Sequence, residues 1–184
     1  MKLVFSCGLL GHTLRLSITP NDVVVAGINS NLPNGKHILM IDFDDVVGGL
    51  KDVVRECKRI NRIAKKRLGR DLGYVEIYES SYRHYFAFWF ESELDYVWEA
   101  IPLLREAKCD VQYKKWRMVR DEMTLRLTPK KDKNGVPRLV AVVGKYKKKL
   151  KEGNEALRRV VHSILDTSKL ERGDSYEENK NRSV

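Results

Sequence analysis

Cysteine is scarce in this chain of 184 residues: three, Cys7, Cys57 and Cys109, stand too far apart for a disulfide framework or a structural zinc site. Long apolar runs are missing as well; none approaches the roughly 18 residues that a membrane-spanning helix needs. The apolar part of Met1-Lys2-Leu3-Val4-Phe5-Ser6-Cys7 is too short for a secretory signal. No long Pro/Gly stretch divides the chain, and no repeat is visible. These absences point to a soluble, cytoplasmic protein with no membrane partner. At 42% hydrophobic residues, the length suits one domain with a real core.

What is abundant is positive charge. Lysine and arginine total 35 against 25 acids, a net +10, so the expected partner is an anion, with nucleic acid the commonest. The charge is clustered: Arg55 to Arg70 holds eight basic residues against Glu56, and Lys145 to Lys151 holds five lysines. Lys114 to Arg138 holds nine basic residues against three acids. Clusters of one sign steer a polyanion, although the first would also serve as the solvated face of a helix. Arg59, Lys65, Lys66, Lys114, Lys115 and Arg117 are the expected nucleic-acid contacts.

Periodicity gives the expected elements. Lys36 to Phe43 reads as a buried strand, and Leu50 to Leu68 as a helix with Val53, Val54, Cys57, Ile60 and Ala64 on one face. Strands follow at Tyr74 to Glu79 and His84 to Phe90. Ser92-Glu93-Leu94-Asp95 reads as a capping box opening a helix that buries Leu94, Val97, Trp98, Ile101 and Leu104. Further strands are expected at Asp110 to Tyr113, Met123 to Thr128 and Pro137 to Val143. Asn154 is the expected cap of a last helix with Leu157, Val160, Val161, Ile164 and Leu165 inward. The fold class is therefore α+β: an RRM-like or ferredoxin-like βαββαβ palm, with extra N-terminal strands and a C-terminal helix. One domain over residues 1–166, with its core over about 37–130, is expected to precede a disordered tail at 167–184.

That topology places the end of the first core strand beside the starts of the third and fourth. Asp42 and Asp44, His84 and Asp110 should then meet at one edge of the sheet. Carboxylates gathered there suit Mg²⁺ or Mn²⁺, which prefer oxygen ligands. Such a metal can clamp the oxygens of a phosphoryl transfer. In Thr124-Leu125-Arg126-Leu127-Thr128, Leu125 and Leu127 should face the core and Arg126 outward, with Lys130 following. Arg126 and Lys130 could neutralise a triphosphate, and Ser80 or Ser81, with Arg83 and His84, could hydrogen-bond its phosphates.

The order Asp42-Phe43-Asp44, then Ser81-Tyr82-Arg83-His84, then Asp110 with Tyr113, Arg126 and Lys130, resembles the catalytic core of archaeo-eukaryotic primases. Primase-polymerases of small viral or plasmid type are the closest comparison within that superfamily. The resemblance implies a DNA-replication nucleotidyltransferase. Asp42, Asp44 and Asp110 would be its catalytic metal ligands, and Ser81, His84, Arg126 and Lys130 its nucleotide-binding residues. It implies nucleoside triphosphates and a single-stranded DNA or RNA template as substrates, and replication proteins as partners. Ser81 stands three residues before His84 where the family has two, and zinc-binding cysteines and a helicase domain are absent. The rival expectation is a catalytically inactive RRM-like or degenerate primase-like binder of single strands, with Phe86, Phe88 and Phe90 stacking on bases. The core beneath the N-terminal strands is the plainer place for those rings. A rolling-circle nuclease is set aside, because His84 has no His-hydrophobe-His partner.

Overall fold

The computed structural model describes residues 3–9, 12–18, 24–128, 135–145 and 150–168, with side chains from residue 26 on. Three strands come first: β1 (Leu3–Leu9), β2 (His12–Ile18) and β3 (Val24–Asn29). Then follow β4 (His37–Phe43), α1 (Gly49–Leu68), β5 (Val75–Ser81) and β6 (His84–Leu94). A π-helical turn (Tyr96–Ala100) leads into α2 (Ile101–Glu106) and α3 (Val111–Met118). The chain continues through β7 (Thr124–Arg126), β8 (Arg138–Val143) and α4 (Glu152–Ile164). The fold is α+β, with two four-stranded antiparallel sheets ordered β1-β2-β3-β7 and β4-β6-β5-β8. Among the described residues, no helix is long and apolar enough to cross a membrane.

β4 is apolar on both faces because both are covered: Ile38, Leu39, Met40 and Ile41 have no exposure. α1 packs on one face of this sheet through Val53, Val54, Cys57, Ile60 and Ala64. It ends at Gly69, whose φ of 68° is left-handed and costs glycine little. Antiparallel β6 lies between β4 and β5, so those two run parallel and α1 crosses between them, as a split βαβ requires. Phe86, Phe88 and Phe90 on β6 are buried core as expected, but beneath α4 and not beneath the N-terminal strands. Phe88 stacks on Phe90, and α4 covers that face with the His162 ring set edge-on to Phe90. This face offers no stacking platform for bases.

Four expectations need correction. The segment Asp110 to Tyr113 is not a strand but the start of α3, because the Asp110 carboxylate accepts from Tyr113 N at 2.5 Å and nucleates a helical turn. β4 is consequently the edge strand of its sheet, and β8 extends the sheet beside β5 instead. Ser92 caps no helix; β6 runs on through Leu94, and Ser92 Oγ fills a register shift by accepting from Leu39 N at 2.7 Å. Asp95 is the cap, accepting from Trp98 N. The π-helical turn shifts the phase of the buried positions: Tyr96, Ala100, Leu103 and Leu104 are buried, whereas Val97 and Trp98 are exposed. Lastly, α4 begins at Glu152, and Asn154 is buried and donates its amide to Phe90 O at 2.7 Å.

Candidate functional site

Asp42 is the penultimate residue of β4, whose outer edge has no neighbouring strand among the described residues. Separate groups satisfy that edge in turn. Ile38 N donates to Ser30 O at 3.0 Å, the Tyr113 hydroxyl donates to Met40 O at 2.6 Å, and Asp110 N donates to Asp42 O at 3.0 Å. The start of α3 is thus pinned to the end of β4, and Asp110 comes beside Asp42 where topology placed it, although by a different element. Both acids are half-buried. Their charge reaches their surroundings: burial pushes the Cys109 thiol up to about 12, Lys114 opposes the rise, and Asp110 and Asp42 add to it. Burial likewise holds the Tyr113 phenol well above its usual range; Arg117 opposes and Asp42 adds.

β4 ends at Phe43, so Asp44 lies just beyond the strand and the chain turns sharply at Asp45, a non-glycine residue with φ of 53°. The β5–β6 hairpin meets this turn. Ser81 pairs with His84 across the two-residue loop Tyr82-Arg83, and Arg83 O accepts from Val46 N at 3.2 Å. The two turns bring Asp44 Oδ1 to 2.6 Å from His84 Nδ1, and Asp45 Oδ1 to 3.7 Å from Nε2. With the carboxylate accepting from Nδ1–H, Asp44 fixes the ring orientation and leaves Nε2 on the side of Asp45. Asp45 was missed by the sequence reasoning, and its only signal was adjacency to Asp44.

The remaining expected residues are divided. Arg126 is exposed while Leu125 and Leu127 are buried, the expected alternation, but it lies on β7 in the other sheet and its Nε donates to Thr128 O at 3.1 Å. Lys130 lies outside the described residues, as do 169–184 of the expected tail. Arg59 clasps the Glu56 carboxylate with two hydrogen bonds of 2.7 and 2.8 Å and reaches Glu106 O. Lys114 donates to Ala107 O at 2.6 Å, and Arg117 is buried over the Tyr113 ring. Lys65, Lys66 and Lys115 are exposed.

For Mg²⁺ or Mn²⁺ the donors fit in part. Asp42 and Asp110 are partly exposed carboxylates on adjoining segments, the right chemistry for a hard cation. Asp44 is turned to His84, and among the described residues no three His, Cys, Asp or Glu side chains are grouped to hold a metal. A groove of about 1030 Å³ lies at the other end of β4, between Leu32, Pro33 and the start of α4, away from these acids. Sequence reasoning also missed a buried polar cluster: fully buried Glu76 accepts from the Tyr78 hydroxyl at 2.6 Å and lies 2.7 Å from His162 Nε2. Compared with protein-family models, curated proteins and solved structures, the chain matches none.

Proposed function

We propose that this chain acts on single-stranded nucleic acid as a nucleotidyltransferase of primase–polymerase type, on an RRM-like palm. The observation that carries the reading is the 3.0 Å contact of Asp110 N with Asp42 O, which joins two acids distant in sequence at one sheet edge. The Asp44–His84 pair at the end of the same strand supports it. So does the split βαβ around β6, the part of an RRM-like palm that sets such an edge.

In this reading Asp42 and Asp110 hold a divalent cation, Mg²⁺ or Mn²⁺. Bound there, the metal would neutralise charge on the transferred phosphoryl group. His84, oriented by Asp44, would donate Nε2–H as an imidazolium to a phosphate of the incoming nucleotide, with Ser81 at the same hairpin; Arg126 and Lys130 serve the remaining phosphates. Exposed Lys65, Lys66 and Lys115 hold the template backbone by charge.

One observation favours a second reading, a strand binder that has lost synthesis: Asp44 is engaged with His84, and Asp110 caps α3. Incubation with a primed single-stranded template, nucleotides and Mn²⁺ separates the two. Extension that disappears in Asp42→Asn supports transfer. Strand binding that needs no metal, with no extension by the wild type, supports the binder.

A further inference from the structure

Two of the three tryptophans are on the surface. Trp89 has no exposure, whereas Trp98 is 79% exposed and Trp116 55% exposed. Large aromatic rings left in water at the surface of a basic protein need a reason, because burying either would be favourable by about 2 kcal/mol or more. The two stand on adjoining elements: Tyr96 at the start of the π-helical turn donates its hydroxyl to Arg117 O at 2.6 Å, which ties that turn to the last turn of α3. Arg120 holds its guanidinium 5.3 Å from the Trp116 ring centroid, and Lys115 beside it is exposed. From Arg105 to Arg120 the chain carries six basic residues against Glu106 and Asp110. Asp110 caps α3, and Trp116 lies six residues beyond that cap, about 9 Å up the axis at 1.5 Å per residue.

We propose that Trp116 and Trp98 are stacking platforms for unpaired bases of a single strand, whose phosphates are held by Lys115 and Arg120. This rests on the nucleic-acid reading above and adds to it the path of the strand, away from the acidic edge along α3. The chemistry matches: every base offers a π-face to indole, and lysine and arginine neutralise the backbone between stacked bases. The sheet cannot do this work, because Phe86, Phe88 and Phe90 are buried. A second protein would also cover exposed rings, but the six bases from Arg105 to Arg120 around Trp116 favour a polyanion over a second copy of a basic chain, and the acids beside Trp98 are paired, Asp95 with Lys36 and Glu99 with Arg70.

The test uses the full chain with a fluorescein-labelled oligothymidylate and, for comparison, a duplex of equal length. Strand binding should quench intrinsic fluorescence, and with Trp89 buried the quenching reports on Trp98 and Trp116. Trp116→Ala should weaken strand binding about tenfold or more, leave the salt dependence unchanged and remove part of the quenching. Trp116→Phe should restore most of the affinity, since it keeps a ring. Lys115→Gln should lower the salt slope by about one. Both tryptophans are exposed, so unchanged melting of Trp116→Ala checks that folding is intact. Wild-type affinity in the Trp98→Ala/Trp116→Ala variant, with strand binding still lost in Lys65→Gln/Lys66→Gln, overturns the stacking surface and leaves the nucleic-acid reading standing. A wild type that binds no strand at all overturns both. A dimer in sedimentation that Trp98→Ala dissolves, with strand affinity unchanged, assigns the patch to a second copy and overturns the proposal.

Discussion

His162 Nε2 lies 2.7 Å from Oε2 of Glu76, a carboxylate with no exposure in the middle of a four-stranded sheet. The pair is one rung of a ladder on α4. Asn154, Arg158 and His162 stand four residues apart on one face, and they reach Phe90 O, the Tyr74 hydroxyl and Glu76 in turn. Leu157 and Val161 fill the spaces between. The helix is thus docked by polar contacts at fixed positions as well as by apolar area, which specifies one register on β5 and β6. Among the described residues Glu76 Oε1 has no hydrogen-bond partner, so the cluster depends heavily on the partners its other oxygen keeps.

Removing one partner of that pair should cost more than removing both. His162→Leu leaves Glu76 with only the Tyr78 hydroxyl, and about 2 kcal/mol or more of stability should be lost. Glu76→Met/His162→Leu, which takes both polar groups away, should be less destabilising than the sum of its single variants. Urea unfolding of the four proteins gives the coupling directly.

Glu56 is the corresponding fixture on the opposite face. Its carboxylate holds Arg59 on its own helix and accepts from Lys108 N at 2.7 Å, so it fastens α1 to the segment leading into α3. Burial raises its pKa, but the Arg59 hydrogen bonds and Lys108 N outweigh burial and leave it below the usual 4.5. A depressed carboxyl stabilises the fold above its unfolded value and loses that contribution as pH falls through the folded one. Glu56→Gln should therefore lower the melting temperature at neutral pH, and its deficit against the wild type should shrink as the pH drops below about 4.5.

His37 should act at milder acidity. It is 8% exposed, with Nδ1 2.9 Å from Ser30 Oγ and its ring 4.8 Å from that of Tyr96. Burial lowers its pKa below 6.5, while Asp95, Glu122 and Asp121 oppose and Lys36 adds. The folded protein then takes up the proton less readily than the unfolded chain, so this contribution is complete above pH 6.5 and is lost as pH falls toward the folded value. Urea midpoints should drop between about pH 7.5 and 5.5 in the wild type, and His37→Asn should flatten that part of the profile.

Much of this was legible from periodicity. The β4, α1, β5 and β8 segments lie where they were expected because a strand or helix of ordinary length averages over many residues, although β5 is buried on both faces, Glu76 included, where alternation was expected. Asp110 was harder. Four residues cannot distinguish a strand from the first turn of a helix, and the deciding interaction, a side chain accepting from Tyr113 N, is one local bond. Asp110 was expected beside Asp42 as the start of a strand flanking the first; the start of α3 stands there instead, and Asp110 N meets a backbone oxygen of the strand edge. Trp98 was assigned to the core because the helical phase was counted from Ser92, and the π-helical turn starts four residues later at Tyr96. The Asn154–Arg158–His162 stripe was visible, but only knowledge that Glu76 and Tyr74 lie beneath it distinguishes a polar dock from a solvated edge.

The two duties of Asp110 make it the most informative position to change. Its carboxylate caps α3, and in the proposed function the same group binds a metal beside Asp42. Asparagine caps a helix about as well as aspartate but lacks the charge that a hard cation needs, whereas alanine does neither. Asp110→Asn should keep its melting temperature close to that of the wild type and lose metal-dependent extension. Asp110→Ala should lose extension and also about 0.5–2 kcal/mol of stability. If Asp110→Asn extends a primer as well as the wild type does, the carboxylate serves only α3, and the acidic edge is a structural joint between a strand end and a helix start.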